Sequence, residues 1–388
     1  LLAKVEAPTR KLSHVVDSIG FAAVTGEDGV FLSDGPVPHV WALDGIPVRQ
    51  YVDGEGVRDF TLTSKPAVYP YSSDRVIPGL GGSRTFWPHR SSLRSGSAFG
   101  KTREQSGKAW YEYILPNWSR LDAERLIAFA FVATHNHFVL DRGGKVFKQS
   151  APVIKLPAEA TEDDHLALLG ILNSSTACFW LKQNSHNKGN GGIGGGIGDE
   201  SWEPRYEFTG TTLQDFPLSE PLPLTRGRLM DSLARDLAAV SPGAVAEAGV
   251  PTAAALAAAH EEYTSLRGRM IAEQEELDWE VYRLYGLIDD DLTYPGQVPA
   301  VALGERAFEI VLARTAAAGD AETAWFARHG STPITQIPEH WPADYRDLVQ
   351  RRLDRIESDR SIRLLETPEH KRRWASEPWD KQVDRALR

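Results

Sequence analysis

The sequence predicts a mixed α/β protein in which a domain of short strands and helices is followed by two helical segments. Up to about residue 222, short apolar stretches alternate with Gly, Pro and Asp, a pattern typical of strands joined by turns. From residue 225 onward, Ala and Leu recur at helical spacing. We therefore expect a domain at 1–222, a helical spacer at 223–290 and a helical C-terminal extension at 291–388.

Short β-rich segments are predicted throughout the first domain. Residues 30–32, 40–43 and 59–63 are rich in β-branched and aromatic side chains and are separated by turn residues. Residues 126–134 and 138–140 are more strongly apolar. We expect the last two segments to pair with each other as core strands.

The predicted helices have recognisable ends. Thr161 is followed by three acids, and this combination favours a helix start because it caps free N–H groups and suits the helix dipole. Residues 253–285 have a long helical pattern that ends at Gly286, a plausible C-terminal cap. Further helices are predicted at 303–317 and within 342–363.

Composition limits the cellular setting. The chain has 388 residues, a net charge of −10 and a single cysteine, Cys178, so no internal disulfide can form. We therefore expect a reducing cytoplasm. No apolar run reaches the roughly 18 residues of a membrane helix. The sequence starts without Met and ends inside a charged helical pattern, so we expect a fragment of a longer protein.

Positive charge is concentrated in one part of this acidic chain. Between Arg84 and Lys155 there are 12 Lys and Arg against 5 Asp and Glu, a local balance of +7. The rest of the chain then carries −17. Affinity for nucleic-acid phosphates depends on the local field, so a basic face on an acidic body is compatible with DNA binding. A solvated charged surface is the alternative.

A predicted basic loop at 84–108 is the first candidate DNA contact. Its cations lie among Ser, Thr and Gly; they are Arg84, Arg90, Arg94, Lys101, Arg103 and Lys108. Arg can bind guanine through two hydrogen bonds, and small hydroxyls and backbone N–H groups contact phosphate. Phe86, Trp87 and Phe99 lie between the cations and either stack on bases or anchor the loop. A solvated loop is the alternative.

Two further segments complete the predicted DNA face. The first follows an apolar run and the second follows an apolar helix; their candidate residues are Asn136, His137, Arg142, Lys145 and Lys148, then Asn184, His186, Asn187 and Lys188. Asn can pair with adenine through two hydrogen bonds. Structural histidines are the alternative for Thr134-His-Asn-His. His135 and His137 alone do not make a metal site, and no metal is predicted.

Catalytic sites are not predicted. Cys178 lies among apolar residues, which favours a buried, inert thiol. Glu275, Glu276 and Asp278 are interpreted as a solvated helix surface. The Gly-rich run at 190–198 is expected to be flexible, and it lacks the Lys-Ser or Lys-Thr ending of a phosphate-binding loop and the setting of a dinucleotide site.

An ordered set of short motifs resembles a known family. The motifs are Ile19-Gly-Phe-Ala-Ala-Val-Thr-Gly, Trp110-Tyr-Glu-Tyr, Thr134-His-Asn-His, Ile171-Leu-Asn-Ser, Gln214-Asp-Phe-Pro and Gln274-Glu-Glu-Leu-Asp-Trp. Each is weak alone, but their order over residues 15–290 is similar to the region after the catalytic domain of large adenine-specific DNA methyltransferases. The most similar members are the PglX-type phage-defence (BREX) enzymes and type IIG restriction-modification enzymes.

The resemblance implies a target-recognition domain for N6-adenine methylation. Family members hold S-adenosylmethionine in a separate domain that has an Asn-Pro-Pro-Tyr motif, and this chain contains no Asn-Pro dipeptide. We therefore expect no cofactor in this fragment and no activity from it alone, with S-adenosylmethionine bound by the full-length enzyme. Expected partners are double-stranded DNA, the protein's own methyltransferase domain and other defence-system proteins. Base-reading residues cannot be transferred, because recognition loops differ within the family.

Two other functions are compatible with the sequence. A stand-alone DNA-specificity or adaptor subunit would bind DNA and act in trans, without a catalytic domain of its own. A nuclease or hydrolase unrelated to methylation is the third possibility. The lack of a carboxylate–Lys or metal-binding pattern counts against it.

Overall fold

The computed structural model describes residues 1–73, 75–189, 200–320, 322–375 and 377–387. Within them, helices and short strands in several small sheets alternate along the chain. The predicted mixed α/β class is confirmed. The predicted flexible Gly-rich run at 190–198 lies outside the described residues.

The strands are short because turn residues interrupt them every few positions. They are β1 (Ser18–Gly20), β2 (Ala23–Val24), β3 (Val48–Val52), β4 (Val57–Arg58), β5 (Thr61–Leu62), β6 (Lys65–Val68), β7 (Tyr71–Ser72), β8 (Arg75–Val76), β9 (Ser97–Ala98), β10 (Lys101–Thr102), β11 (Leu115–Pro116), β12 (Leu126–Phe129), β13 (Val132–Ala133), β14 (Phe138–Asp141), β15 (Lys145–Phe147), β16 (Val153–Lys155), β17 (His186–Gly189) and β18 (Arg205–Glu207).

The helices range from single turns to one long rod. They are α1 (Leu2–Val5), α2 (Asp28–Phe31), α3 (His39–Leu43), α4 (Arg90–Ser95), α5 (Trp118–Leu121), α6 (Glu162–Leu172), α7 (Ser175–Asn184), α8 (Gly210–Gln214), α9 (Leu224–Ala239), α10 (Pro242–Ala248), α11 (Ala253–Leu284), α12 (Ala307–Ala317), α13 (Trp325–His329), α14 (Ala343–Ser358), α15 (Arg360–Leu365) and α16 (Trp379–Ala386). Short 3₁₀ turns lie at Leu12–His14, Leu80–Gly82, Trp87–His89 and Glu104–Ser106.

The central sheet has four antiparallel strands in the order β1-β16-β12-β14. Ile127 of β12 lies opposite Ile154 on one side and Leu140 on the other, and all three are buried. The predicted pairing of the two apolar core segments is therefore confirmed. A second sheet joins β15, β3 and β6, and a third joins β13, β18 and β17.

Two predicted β-rich segments are helical instead. Residues 28–31 and 39–43 form α2 and α3. In α2, the ring of Phe31 packs against Phe86 and Tyr113, with ring centroids 5.7 and 5.1 Å apart. This aromatic cluster outweighs the β preference of the local sequence, which is a weak guide when packing opposes it.

The long helices agree with the sequence pattern. The hydroxyl of Thr161 accepts a hydrogen bond from the N–H of Asp164 at the start of α6, and the Asp164 carboxylate accepts one from the Thr161 N–H. Helix α11 runs for 32 residues, and Gly286 follows it with a φ of +61°. Helix α12 begins at 307 rather than 303, because the Glu309 carboxylate accepts hydrogen bonds from the N–H groups of Gly304 and Arg306 at its start.

One main hydrophobic core contains residues from all three predicted segments. Ile127, Leu277 and Leu353 are fully buried in it. A smaller cluster forms around Trp202 and Trp325. The division into three segments stays a prediction, and extensive packing joins those segments. Within the described residues, no helix is both long and apolar enough to cross a membrane.

Candidate nucleic-acid interface

The predicted basic loop is an ordered segment with its own secondary structure. We call residues 84–108 the basic arm. It contains a 3₁₀ turn, the short helix α4 and the hairpin formed by β9 and β10. Leu93, on the inner side of α4, is buried and attaches the arm to the core.

Four cations of the basic arm are exposed to solvent. They are Arg84, Arg90, Arg94 and Lys101, whereas Lys108 is half-buried. Arg94 has one carboxylate partner, Glu104, at 3.5 Å, and both side chains are about half exposed. Lys101 forms no ion pair or side-chain hydrogen bond with any residue that the structure describes. The arm therefore presents positive charge that internal carboxylates scarcely neutralise.

An exposed aromatic–cation pair lies beside this charge. The guanidinium of Arg90 lies 4.5 Å from the ring centroid of Trp87, and its Nη1 donates to the Trp87 carbonyl at 3.2 Å. The Trp87 residue is 54% exposed. Stacking of this kind holds the guanidinium plane in a defined orientation on the surface.

Arg103 does not lie on this surface, contrary to the sequence prediction. It is 1% exposed. Its Nε, Nη1 and Nη2 donate to the carbonyl oxygens of Glu112, Leu93 and Thr25 at 2.7, 2.6 and 2.7 Å. Because these bonds join the end of the hairpin to α4 and to the N-terminal part of the domain, Arg103 fixes the arm and is not free to contact DNA.

Asn136 and His137 are also buried, so the prediction that they contact DNA is corrected. The Asn136 amide donates to the carbonyls of Leu172 and Ser174 at 2.7 and 3.0 Å. The Nδ1 of His137 accepts a hydrogen bond from Arg372 at 2.8 Å. Burial, together with the charge of Arg372, holds the pKa of His137 well below its ordinary value, which keeps the imidazole neutral.

The three cations after this motif are already paired with carboxylates. Arg142 contacts Glu162 and Asp231, each at 2.7 Å. Lys145 and Lys148 contact Asp141 and Asp28, each at 2.6 Å. These pairs tie the central sheet to its neighbours. They leave this segment with much less free charge than the sequence suggests.

The third predicted segment is exposed, on and beside β17. Asn184, His186, Asn187 and Lys188 all lie at the surface. Lys188 pairs with Glu207 on the adjacent β18, and the Asn187 side-chain oxygen accepts from the Gly189 N–H at 2.7 Å. The amide nitrogen of Asn187 and the imidazole of His186 remain accessible there.

A buried polar junction was missed by the sequence analysis. We use this name for the side chains that connect the C-terminal region to the first domain: Asp59, Asn136, His137, Asn173, Gln274, Glu275, Asp278, Glu366, Lys371 and Arg372. Arg372 donates to Asn173 Oδ1 at 2.7 Å and to Asp59 at 3.1 Å. Lys371 lies 2.9, 2.9 and 3.0 Å from carboxylate oxygens of Glu275, Asp278 and Glu366 respectively.

The acidic cluster on α11 is therefore buried, and its interpretation as a solvated surface was wrong. Glu275, Glu276 and Asp278 are at most 3% exposed. Burial raises the pKa of Glu275 to about 7, against the opposing attraction of Lys371. The available signal was that Leu277 and Trp279 alternate with the acids, since apolar residues around the whole helix indicate burial on every side.

Six of the ten junction residues belong to motifs that carry the family resemblance. Thr134-His-Asn-His supplies Asn136 and His137, Ile171-Leu-Asn-Ser supplies Asn173, and Gln274-Glu-Glu-Leu-Asp-Trp supplies three further members. The Asn173 amide donates to the Phe138 carbonyl at 2.9 Å and thereby connects α6 to the central sheet. These motifs hold the fold together. In the described part of the chain, no group of three His, Cys, Asp or Glu is arranged to hold a metal ion.

Comparison with known proteins finds matches among protein families, curated proteins and solved structures. Residues 270–388 match a family described as a domain of unknown function, DUF7008. The adenine-specific methyltransferase PglX of Streptomyces coelicolor is 47% identical over 97% of this chain, which spans only 32% of that protein. The predicted resemblance to PglX-type methyltransferases is confirmed.

One of the solved structures that match is a restriction-modification enzyme. It is the type IIL enzyme MmeI in complex with DNA, with a TM-score of 0.45 and 13% sequence identity. The match covers 72% of this chain and 34% of that one.

Proposed function

We propose that this chain is the DNA target-recognition region of an N6-adenine methyltransferase in a bacterial restriction-modification or phage-defence system. The observation that carries the proposal is the basic arm, with four exposed cations on a chain of net charge −10 that is related to PglX. A sequence-reading module needs free positive charge at the surface, and this region supplies it.

The basic arm is the main proposed contact. Its cations would replace the counterions of the phosphate backbone, which gives affinity without regard to sequence. Arg90, oriented by Trp87, has the planar donor set that suits guanine or phosphate. Because Arg103 bonds to three backbone carbonyls, the arm would have its binding conformation before it contacts DNA. Little conformational entropy would then be lost on binding.

The exposed end of β17 is a second proposed contact. Asn187 has a free amide nitrogen, and His186 and Lys188 lie on either side of it. Amide and imidazole groups can both bond to base edges. Of the fifteen residues predicted from the sequence, those on the arm surface and on or beside β17 stay in this proposal. The other seven do not: Arg103, Asn136 and His137 are buried, Lys108 is half-buried, and Arg142, Lys145 and Lys148 are paired with carboxylates.

Chemistry would take place outside this chain. S-adenosylmethionine and an Asn-Pro-Pro-Tyr motif would belong to a separate catalytic domain, to which a flipped adenine is delivered. The chain would choose the site and hold the duplex in position. Its proposed partners are double-stranded DNA, that catalytic domain and other defence-system proteins in the cytoplasm.

Combined replacement of Arg90, Arg94 and Lys101 by Ala tests the proposal. We expect weaker binding of duplex DNA and a flatter dependence of log Kd on log salt, by up to about 0.9 for each phosphate that the variant no longer neutralises. Fluorescence anisotropy with labelled duplex at several salt concentrations measures both quantities.

The matched control replaces Arg351, Arg360 and Lys381, which are also exposed, so that the same net charge is removed elsewhere. This control triple should bind DNA nearly as the parent does. If both triples lose affinity equally, or if neither does, the basic arm is not the DNA contact.

A further inference from the structure

One aromatic side chain in the basic arm has no structural role. Phe99 is 92% exposed and lies at the tip of the β9–β10 hairpin. Buried Phe side chains stabilise a fold because they remove apolar surface from water, and Phe99 removes almost none. Burial therefore does not account for its presence at this position.

The backbone at Phe99 strengthens this point. Ala98 pairs with Lys101, so Phe99 and Gly100 form a two-residue turn, with φ of +52° and +76°. Such turns favour Asn-Gly or Gly-Gly, because both positions need positive φ. A bulky residue with positive φ is a true outlier, and outliers of this kind concentrate at functional sites. The fold would be better served by Asn or Gly.

The hairpin is a firm support for this tip. Thr102 donates its N–H to the Gln105 side chain at 2.9 Å, directly below the strands. Arg103 follows and bonds to three carbonyls of the surrounding structure. The β9–β10 hairpin, which these hydrogen bonds fix, thus holds the phenyl ring away from the rest of the protein surface.

Three exposed cations of the basic arm lie close to this hairpin along the chain. Lys101 follows the turn directly and has no ion-pair partner among the described residues, and Arg94 and Arg90 lie on α4, which leads into the hairpin. An apolar ring next to exposed cations suits a polyanion with flat apolar faces. That description fits the base stack of nucleic acid between its phosphates.

We propose that Phe99 enters the base stack of double-stranded DNA as a wedge, while the cations of the arm hold the adjacent phosphates. The inference rests on the proposed DNA-recognition function and adds a specific residue and a mode of contact to it. Insertion opens one base step and bends the duplex, which favours steps that unstack easily. Phe99 would therefore contribute to sequence choice without any hydrogen bond to a base.

A protein partner fits the tip less well. A single ring flanked by cations offers a small apolar area, whereas a stable protein interface needs a patch of about 800 Å² on each partner. The basic arm has only one other exposed large apolar side chain among the described residues, Trp87. One ring is nevertheless enough to fill a gap between two base pairs.

The test uses the 388-residue chain and a duplex that it selects from a random-sequence DNA pool. Phe99→Ala should weaken binding of that duplex about 5- to 150-fold, the range for stacking one base on an aromatic side chain. Phe99→Trp should retain the affinity. With 2-aminopurine placed in turn at each position, the parent should raise its fluorescence at one step and Phe99→Ala should not.

A folding defect is distinguished by thermal unfolding. Phe99→Asn should keep or raise Tm, because Asn tolerates positive φ, yet it should lose affinity as Phe99→Ala does. Val250→Ala is the matched control, since Val250 is also 92% exposed but lies outside the arm; it should bind normally.

Two results would overturn the inference, and they differ in meaning. If Phe99→Ala binds like the parent and the 2-aminopurine signal persists, the wedge is wrong while DNA recognition stands, and a protein partner becomes the better explanation for the tip. If the parent selects no DNA from the pool, both the wedge and the proposed function fail.

Discussion

The basic arm and the buried polar junction contain the same kinds of residue in opposite settings. In the junction, Arg372 and Lys371 contact amide and carboxylate oxygens of the chain itself and are at most 4% exposed. In the arm, Arg90 and Lys101 are exposed and lack a carboxylate partner among the described residues. The junction uses its cations to close the fold, whereas the arm presents its cations to solvent.

This difference shows that a charged residue is a candidate for binding only where its charge is exposed, and not where it is paired inside the chain. Buried ions persist only when partners compensate for lost hydration. Exposed ions keep their hydration and remain free to bind phosphate. Arg103 illustrates the distinction within the arm itself, because it shares the composition of its neighbours but has the environment of the junction.

The motifs quoted from the sequence are distributed unevenly between the junction and the arm. Six of the junction's ten side chains belong to three of these motifs: Asn136, His137, Asn173, Gln274, Glu275 and Asp278. The arm carries none of these motifs.

Removing one buried cation should produce the largest effect. Lys371→Met leaves Glu275, Asp278 and Glu366 without their shared partner, and we expect a loss of about 3–5 kcal/mol in the free energy of unfolding. Urea denaturation monitored by tryptophan fluorescence measures it. Lys381→Met, at an exposed position, is the control and should change stability by less than about 0.5 kcal/mol. A loss below about 1 kcal/mol for Lys371→Met would mean that the junction does not hold the fold.

Arg103→Lys tests whether the arm depends on an internal brace. Lysine keeps the charge but cannot span three separate carbonyls, so buried acceptors lose their donors. We expect a loss of about 2–3 kcal/mol in the free energy of unfolding, together with faster amide hydrogen exchange in the arm. The control, Arg94→Lys, should be nearly neutral, because Arg94 is exposed. If the two changes lowered the free energy of unfolding equally, Arg103 would not be a special internal support of the arm.

The smallest expected effect is a pH dependence at the edge of the junction. Burial, with repulsion from Lys182, lowers the pKa of His370 from 6.5 to about 3. Between pH 6.5 and 3, the unfolded chain therefore binds a proton that the folded chain does not, so stability falls as pH falls. This group contributes up to about 1.4 kcal/mol per pH unit in that window.

His370→Gln should remove that contribution. Unfolding free energies at about pH 7 and about pH 5.5 should differ less in this variant than in the parent. His89→Gln, at an exposed position of the arm, is the matched control for the substitution itself. If the free energy of unfolding of His370→Gln has the same pH dependence as that of the parent, His370 does not contribute to this dependence.

Local features of the molecule were predictable where neighbours in sequence determine them. The N-terminal cap at Thr161, the length of α11 and the pairing of β12 with β14 follow from short-range patterns and were found. The short helix α2 was missed because aromatic packing around Phe31 decides its conformation, and α3 was missed as well. The sequence identified the cations of the arm but not which of them are exposed, because no local sequence pattern distinguishes the buried Arg103 from the exposed Arg94.

The sequence by itself determined the α/β class, the helical periodicity, the concentration of positive charge and the relationship to PglX-type methyltransferases. The tertiary structure alone decided which charged groups are buried. Arg372 meets Asn173 across 199 residues, and Lys371 meets Asp278 across 93. Periodicity and composition report on neighbours along the chain, whereas hydration of an ion depends on neighbours in space, and these two sets of neighbours coincide only within single helices and hairpins.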